Sequence, residues 1–166
     1  MTETLPKNAT FQAVVFTLAQ EQYALPIHQV REVVRMQEVL PLPQAPSFVE
    51  GVIHVRDRVI AVSDLRKRFE LGRPEAPNDA HILIVRLPKA LVGFVVDTVV
   101  GVFTIPQAAI QEPPQAALLK QKYLSGIVDL NGKLVFFLSA SAIFSSEEQK
   151  EMTKANENNL KEKQVD

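Results

Sequence analysis

The side chains capable of chemistry are few in this sequence and stand apart from one another. His28, His54 and His81 have no second histidine or carboxylate at a spacing such as H-E-x-x-H, so they read as surface or strand-edge residues rather than metal ligands. The six glycines form neither G-x-G-x-x-G nor a phosphate loop, which leaves dinucleotide binding without its cradle. Ser139, Ser141, Ser145 and Ser146 lack the G-x-S-x-G elbow of a nucleophilic serine. Asp64, Asp97 and Asp129 fall singly at the ends of apolar runs, where an aspartate terminates a strand or caps the next element. With no cysteine there is no thiolate nucleophile, zinc knuckle or disulfide, a usage compatible with a reducing cytoplasm. No catalytic residue, metal or cofactor is expected.

One charged cluster does stand out. Arg56, Arg58, Arg66, Lys67, Arg68 and Arg73 face Asp57, Asp64 and Glu70, a local excess of +3 in a chain of net charge −1. It is either a solvated hairpin tip and helix face or a surface for an acidic partner. Protein is the better partner, because Phe69 is the only aromatic beside the cluster and takes a core position, whereas a single-stranded nucleic acid wants exposed stacking platforms. Binding of nucleic acid or another acidic ligand through Arg56 to Arg73 is the alternative function. The near-neutral total argues against a general grip on polyanions or anionic lipid.

The elements that carry these residues read as all-β. Short runs of Val, Ile, Leu and Phe alternate with Pro, Gly, Asn and Asp, placing strands near residues 12–18, 23–27, 51–55, 59–63, 82–87, 93–97, 99–105, 127–130 and 133–138. Asn131-Gly132 is the dipeptide of a tight hairpin turn. A short helix is expected over Asp64 to Phe69, capped by Asp64, and a second over His28 to Arg35 against its β-branched content. Residues 1–10 read as a flexible start without the basic-then-apolar order of an export signal. The greasy stretch from Ala90 to Ile105 is interrupted by Asp97 and is too short for a spanning helix. The last 21 residues hold ten charged side chains and only four apolar ones, so residues 146–166 read as a charged tail, partly helical or disordered.

Laid on itself, the chain repeats. FVEGVIHVRDRVIAVSDLRKRF (48–69) aligns without a gap to YLSGIVDLNGKLVFFLSASAIF (123–144) at an offset of 75, setting Phe48 on Tyr123, Gly51 on Gly126 and Phe69 on Phe144. A weaker alignment at an offset of 69 sets Val14 to Val34 on Leu83 to Phe103. This predicts two copies of one supersecondary unit forming two small lobes, approximately residues 11–75 and 76–145, with strands free to cross over. Copies this small need a shared hydrophobic seam to be stable.

The residues Phe16 to Leu18, Tyr23, Val30 to Val33, Leu42-Pro43, Pro46 to Phe48, Gly51 to Arg56, Val59 to Val62, Asp64 to Arg66, Phe69, Val96-Asp97, Val99, Val102 and Tyr123 to Gly126 resemble those of CheW-type chemotaxis coupling proteins. The resemblance runs in unbroken order over about residues 11–145. It implies two five-stranded SH3-like β-barrel lobes and a non-catalytic cytoplasmic adaptor, peripheral to membrane receptor arrays. Such an adaptor joins the cytoplasmic tip of methyl-accepting chemoreceptors to the regulatory domain of the histidine kinase CheA, and alternates in rings with similar domains. Three departures bear on partner choice rather than fold: Asp57 replaces a usual glycine, Ala61 a common proline, and Ser139 a common aspartate.

By the same resemblance, a receptor helix would lie in a groove formed by Val30, Glu32, Val33, Gly51, Val52, Val96 and Val99. Each valine taken singly reads better as plain core than as groove, whereas Glu32 within an apolar run is better explained by solvent or a partner. Arg56, with Asp57 and Arg58, lies at a predicted hairpin tip where a guanidinium can bind a partner carboxylate or pin the hairpin itself. The connection from Ile110 to Lys120, with Pro113 and Pro114, is the expected second-lobe surface for the kinase.

Overall fold

The computed structural model describes residues 9–71, 79–114 and 122–164, with side chains as far as residue 156. Among them the apolar runs form ten strands: β1 (Thr10–Leu18), β2 (Glu21–Pro26), β3 (Val30–Arg35), β4 (Gly51–Val55), β5 (Arg58–Asp64), β6 (His81–Arg86), β7 (Leu91–Val96), β8 (Thr98–Pro106), β9 (Leu124–Leu130) and β10 (Lys133–Leu138). Three helices accompany them: α1 (Leu65–Arg68), α2 (Ala140–Ile143) and α3 (Ser146–Gln164). Asp64 caps α1 as its position suggests, accepting from the Arg66 backbone N–H at 2.9 Å. The expected helix over His28 to Arg35 is not formed. Ile27–Gln29 makes a single 3-10 turn, and the β-branched Val30, Val33 and Val34 then continue as β3.

The strands make two five-stranded sheets, ordered β8-β1-β2-β10-β9 in the first lobe and β3-β6-β7-β5-β4 in the second. Under the repeat, β1 to β5 of the first copy correspond to β6 to β10 of the second, so each sheet joins the leading hairpin of one copy to the trailing three strands of the other. The registers repeat as well. Ala61↔Val92 in the parallel β5–β7 ladder falls on Phe136↔Tyr23 in the parallel β10–β2 ladder, and Gly51↔Val62 falls on Gly126↔Phe137. Neither sheet therefore coincides with residues 11–75 or 76–145; the two copies exchange their leading hairpins.

Each sheet closes edge to edge through an isolated bridge, Leu40↔Val52 in the second lobe and Gln111↔Ile127 in the first. Closure explains the paired glycines. A Cβ on Gly51, whose φ is +154°, would lie 2.3 Å from the Leu40 carbonyl oxygen, and one on Gly126 would lie 2.6 Å from Ile110 Cγ2. Both are positions where a returning chain crosses against the sheet.

The largest buried cluster belongs to neither barrel alone. Phe16 and Leu25 from the first sheet pack in it with Leu83 and Phe94 from the second and with Phe144, while smaller clusters around Val15 and Phe137, and around Ile53 and Ile84, fill the barrels. Aromatics matched by the repeat clamp this seam from both sides, Phe48 against Phe144 at 5.8 Å between centroids and Tyr123 stacked on Phe69 at 3.8 Å. Burial pushes the Tyr123 hydroxyl pKa up to about 12, with Tyr23 and Glu70 adding to the effect. A buried charge cluster also ties the lobes together. Arg66, 1% exposed, lies 3.4 Å from carboxylate oxygens of both Asp64 and Asp97, and Asp97 accepts from the backbone N–H of Ala19 in the β1–β2 turn at 2.8 Å.

Candidate partner-binding surfaces

The β4–β5 hairpin ends in the two-residue turn Arg56-Asp57. In this turn the positive φ falls on Arg56, at 57°, and not on Asp57, while in the matching turn of the first lobe both Asn131 and Gly132 are positive. With no glycine at position 57, a single left-handed residue makes the turn, and a non-glycine residue held there is a strained position of the kind found at functional sites. Arg56 is 80% exposed, and its Nε approaches Glu32 Oε2 at 3.7 Å. The groove candidate Glu32 and the hairpin-tip residue Arg56 are thus brought together. They rim a cleft of about 150 Å³ at the end of the second barrel, with Arg31, Asp57 and Arg58 around it and Val55, Ile60 and Ile84 beneath. An exposed ion pair at this distance contributes little to stability, so the guanidinium is available to a partner.

The groove candidates divide. Val30, Val52 and Val96 are buried, as is Gly51, and they shape the surface from beneath. Glu32 and Val99 are half-buried and Val33 is exposed. Val33 pairs with Leu83 and Val99 with Phe16, both members of the seam cluster, so these valines share the seam-facing side of their strands. Val102, the repeat equivalent of Val33, pairs with the seam residue Val14 and is 53% exposed; beside it Val100 is also exposed. Val102 was legible as part of the family pattern, but its exposure was not, because alternation along β8 does not say where the partner lobe stops covering it.

Pro113 is buried, which rules out its side chain as a direct partner contact, whereas Pro114 is exposed; residues 115–120 of that connection lie outside the described residues. The basic cluster is not one patch. Arg66 is buried between two aspartates, and Lys67 pairs with Glu50 at 2.9 Å. Arg68 makes a two-pronged contact with Glu148 at 2.6 and 2.8 Å, and Arg73 lies outside the described residues. Burial alone would raise the Glu148 pKa, but the hydrogen bonds from Arg68 and Ser145 and the charge of Arg68 outweigh it and hold the carboxyl below its ordinary value. Among the described residues no group of histidines and carboxylates is placed to hold a metal ion, and no helix is long and apolar enough to cross a membrane.

The family model of the CheW-like domain matches residues 12–148. The chain belongs to the CheW-like family. It is 32% identical over 143 residues to the chemotaxis protein CheW of Treponema pallidum, covering 83% of this chain and 84% of that one. It is 31% identical over 117 residues to the protein FrzA of Myxococcus xanthus, covering 70% and 73%. The crystal structure of the scaffolding protein TtCheW from Thermoanaerobacter tengcongensis superposes with a TM-score of 0.77 at 32% identity, covering 84% of this chain and 96% of that one. The two-sheet architecture is thus a CheW fold, and the chain is a chemotaxis adaptor of the kind that couples chemoreceptors to CheA.

Proposed function

We propose that this CheW-like chain works without turnover, holding a chemoreceptor tip and the CheA regulatory domain at two surfaces and passing a difference in their arrangement through its seam. The observation that carries this reading is the exposure of Val33 and Val102, equivalent valines on the edge strands β3 and β8, together with an exposed, strained arginine tip. Val33, Val99 and Val102 offer methyl groups from the seam-facing side of β3 and β8, a surface suited to the apolar face of a receptor helix by the helix-in-groove mode. Arg56, loosely paired with Glu32, suits a carboxylate of the kinase domain, with Asp57 and Arg58 as neighbouring contacts and Pro114, on the β8–β9 connection of the other sheet, as a separate one. Val30, Gly51, Val52 and Val96 support the first surface from the core. The adaptor sits in the cytoplasm beside the receptor array, where rings of CheW-like domains multiply modest individual contacts.

Pull-down of kinase by receptor-tip fragments tests the assignment. Arg56→Glu, which sets a second carboxylate beside Glu32, is expected to cut kinase recovery while the melting curve stays cooperative. Val102→Asp is expected to cut recovery of the receptor fragment first. Recovery unchanged in both variants refutes the two-surface reading. Retained binding that collapses steeply with added salt would point instead to a polyanion, whose counterion release has that signature.

A further inference from the structure

The parallel ladders of the two lobes do not begin at the same pair, and the second runs on through Ser63↔Phe94 and Asp64↔Val95. In the first lobe β10 and β2 pair over Val135↔Gln22, Phe136↔Tyr23 and Phe137↔Ala24. In the second lobe the equivalent ladder begins only at Ala61↔Val92, and the pair Ile60↔Leu91, which the repeat would set on Val135↔Gln22, is not made. The side-chain amide of Asn156 in α3 stands at that point. Its Oδ1 accepts from the Ala61 backbone N–H at 2.6 Å, and its Nδ2 donates to the Leu91 carbonyl at 3.4 Å. An amide side chain carries a donor and an acceptor side by side, as a peptide group does, so Asn156 serves as a rung between strands that separate there. The N–H it receives exists because position 61 is alanine and not proline.

The rest of α3 is built to present this rung. Gln149, Thr153 and Asn156 recur at i, i+4 and i+7, which places them on one face of the helix. Gln149 Oε1 accepts from the Lys89 backbone N–H at 2.9 Å, and Thr153 Oγ1 donates to the Lys89 carbonyl at 2.8 Å. Met152 and Ala155 on the same side are buried in the seam cluster, and the Arg68–Glu148 contact anchors the first turn. Polar side chains of α3 therefore answer backbone groups of the β6–β7 turn and of β5.

Beyond Ala61 toward its turn, β5 has only Arg58 to Ile60 before the tip that carries Arg56. Asn156 thus sits at the fork where the β4–β5 hairpin leaves β7. We infer that Asn156 is a positioning residue that sets how far this hairpin splays from β7, and so where Arg56 is offered to its partner. The inference rests on the reading of Arg56 as the kinase contact. Without the amide, β5 and β7 close the Ile60↔Leu91 pair as the first lobe does, and the tip swings toward β7.

The full chain with Asn156→Leu, which keeps size and loses the amide, is the test. NMR is expected to show new backbone contacts between Ile60 and Leu91 and shift changes running to Arg56 and Asp57, while the melt stays cooperative. Kinase recovery in the pull-down is expected to fall at least threefold. Absence of the Ile60–Leu91 contacts overturns the inference whatever the pull-down reads. A closed ladder with full kinase recovery, in a system where Arg56→Glu abolishes recovery, overturns the positioning role alone. If Arg56→Glu also leaves recovery intact, the reading of the hairpin tip is at fault and both claims fall.

Discussion

Gly51→Ala isolates the closure of the second barrel in one methyl group. The added Cβ would sit 2.3 Å from the Leu40 carbonyl oxygen, 2.8 Å from its carbon and 2.9 Å from Val39 Cγ1, on a residue whose φ is +154°. Two of these three neighbours are backbone, so no rotamer change relieves the clash. A side chain held in that region costs about 1–3 kcal/mol. Relief by moving Leu40 away breaks the bridge made by Leu40 N–H to the Val52 carbonyl at 2.9 Å and Val52 N–H to the Leu40 carbonyl at 2.8 Å, each bond contributing about 1 kcal/mol net. The sum is about 3–5 kcal/mol, which for a chain of this size lowers Tm by roughly 6–20 °C. Gly132→Ala is the control, since φ there is +89° with nothing within 4 Å, and its cost is about 1–2 kcal/mol. Urea denaturation of both variants decides the matter. A Gly51→Ala cost no larger than that of Gly132→Ala would refute the closure of the barrel at this glycine.

Two other perturbations test the polar parts of the seam. Arg66→Met leaves Asp64 and Asp97 buried without their shared cation and is expected to cost about 3–5 kcal/mol, with Arg66→Met/Asp97→Asn recovering part of it; urea midpoints read both. Glu148 has a folded pKa below its unfolded one, so its contribution to stability is present above the unfolded value near 4.3 and is lost as pH falls through the folded value. Stability of the parent chain should therefore drop on acidification below about pH 4.3 by more than that of Glu148→Gln, as thermal melts across that range would show.

Much of the architecture was legible because periodicity and punctuation are local signals. The Asn131-Gly132 turn, the Asp64 cap and the strands from Gly51 to Ser63 lie where residue type dictates. The repeat even told which strands correspond. It could not tell which copy's hairpin completes which sheet, because the alternation of β1 and β2 suits either partner equally and only the crossover connections decide. Arg66 was missed for a related reason: in sequence it belongs to a run of cations, and its neutralising partner Asp97 is 31 positions away. The tail from Ser146 read as charged and partly helical or disordered because its apolar content is low, yet Met152 and Ala155 bury well when Gln149, Thr153 and Asn156 satisfy backbone groups beside them. Side-chain bonds to a distant backbone leave no mark on local hydrophobicity.

Of the surface residues, Glu32 was legible as a charge within an apolar run and Arg56 as a hairpin tip, though not as each other's neighbour. Val30, Val52 and Val96 could not be separated from Val33 and Val99 by sequence, since all are valines on strands. Their pairing partners and the edge of the seam make the difference.

The central claim, coupling without turnover, is tested most directly by reconstituting CheA with receptor-tip assemblies and measuring kinase autophosphorylation with and without this chain. Coupling of this kind predicts that the chain changes the rate only when receptor and kinase are both present, and that Arg56→Glu and Val102→Asp each remove the effect. A rate that the chain alters equally without receptor, or fails to alter with it, would contradict the claim.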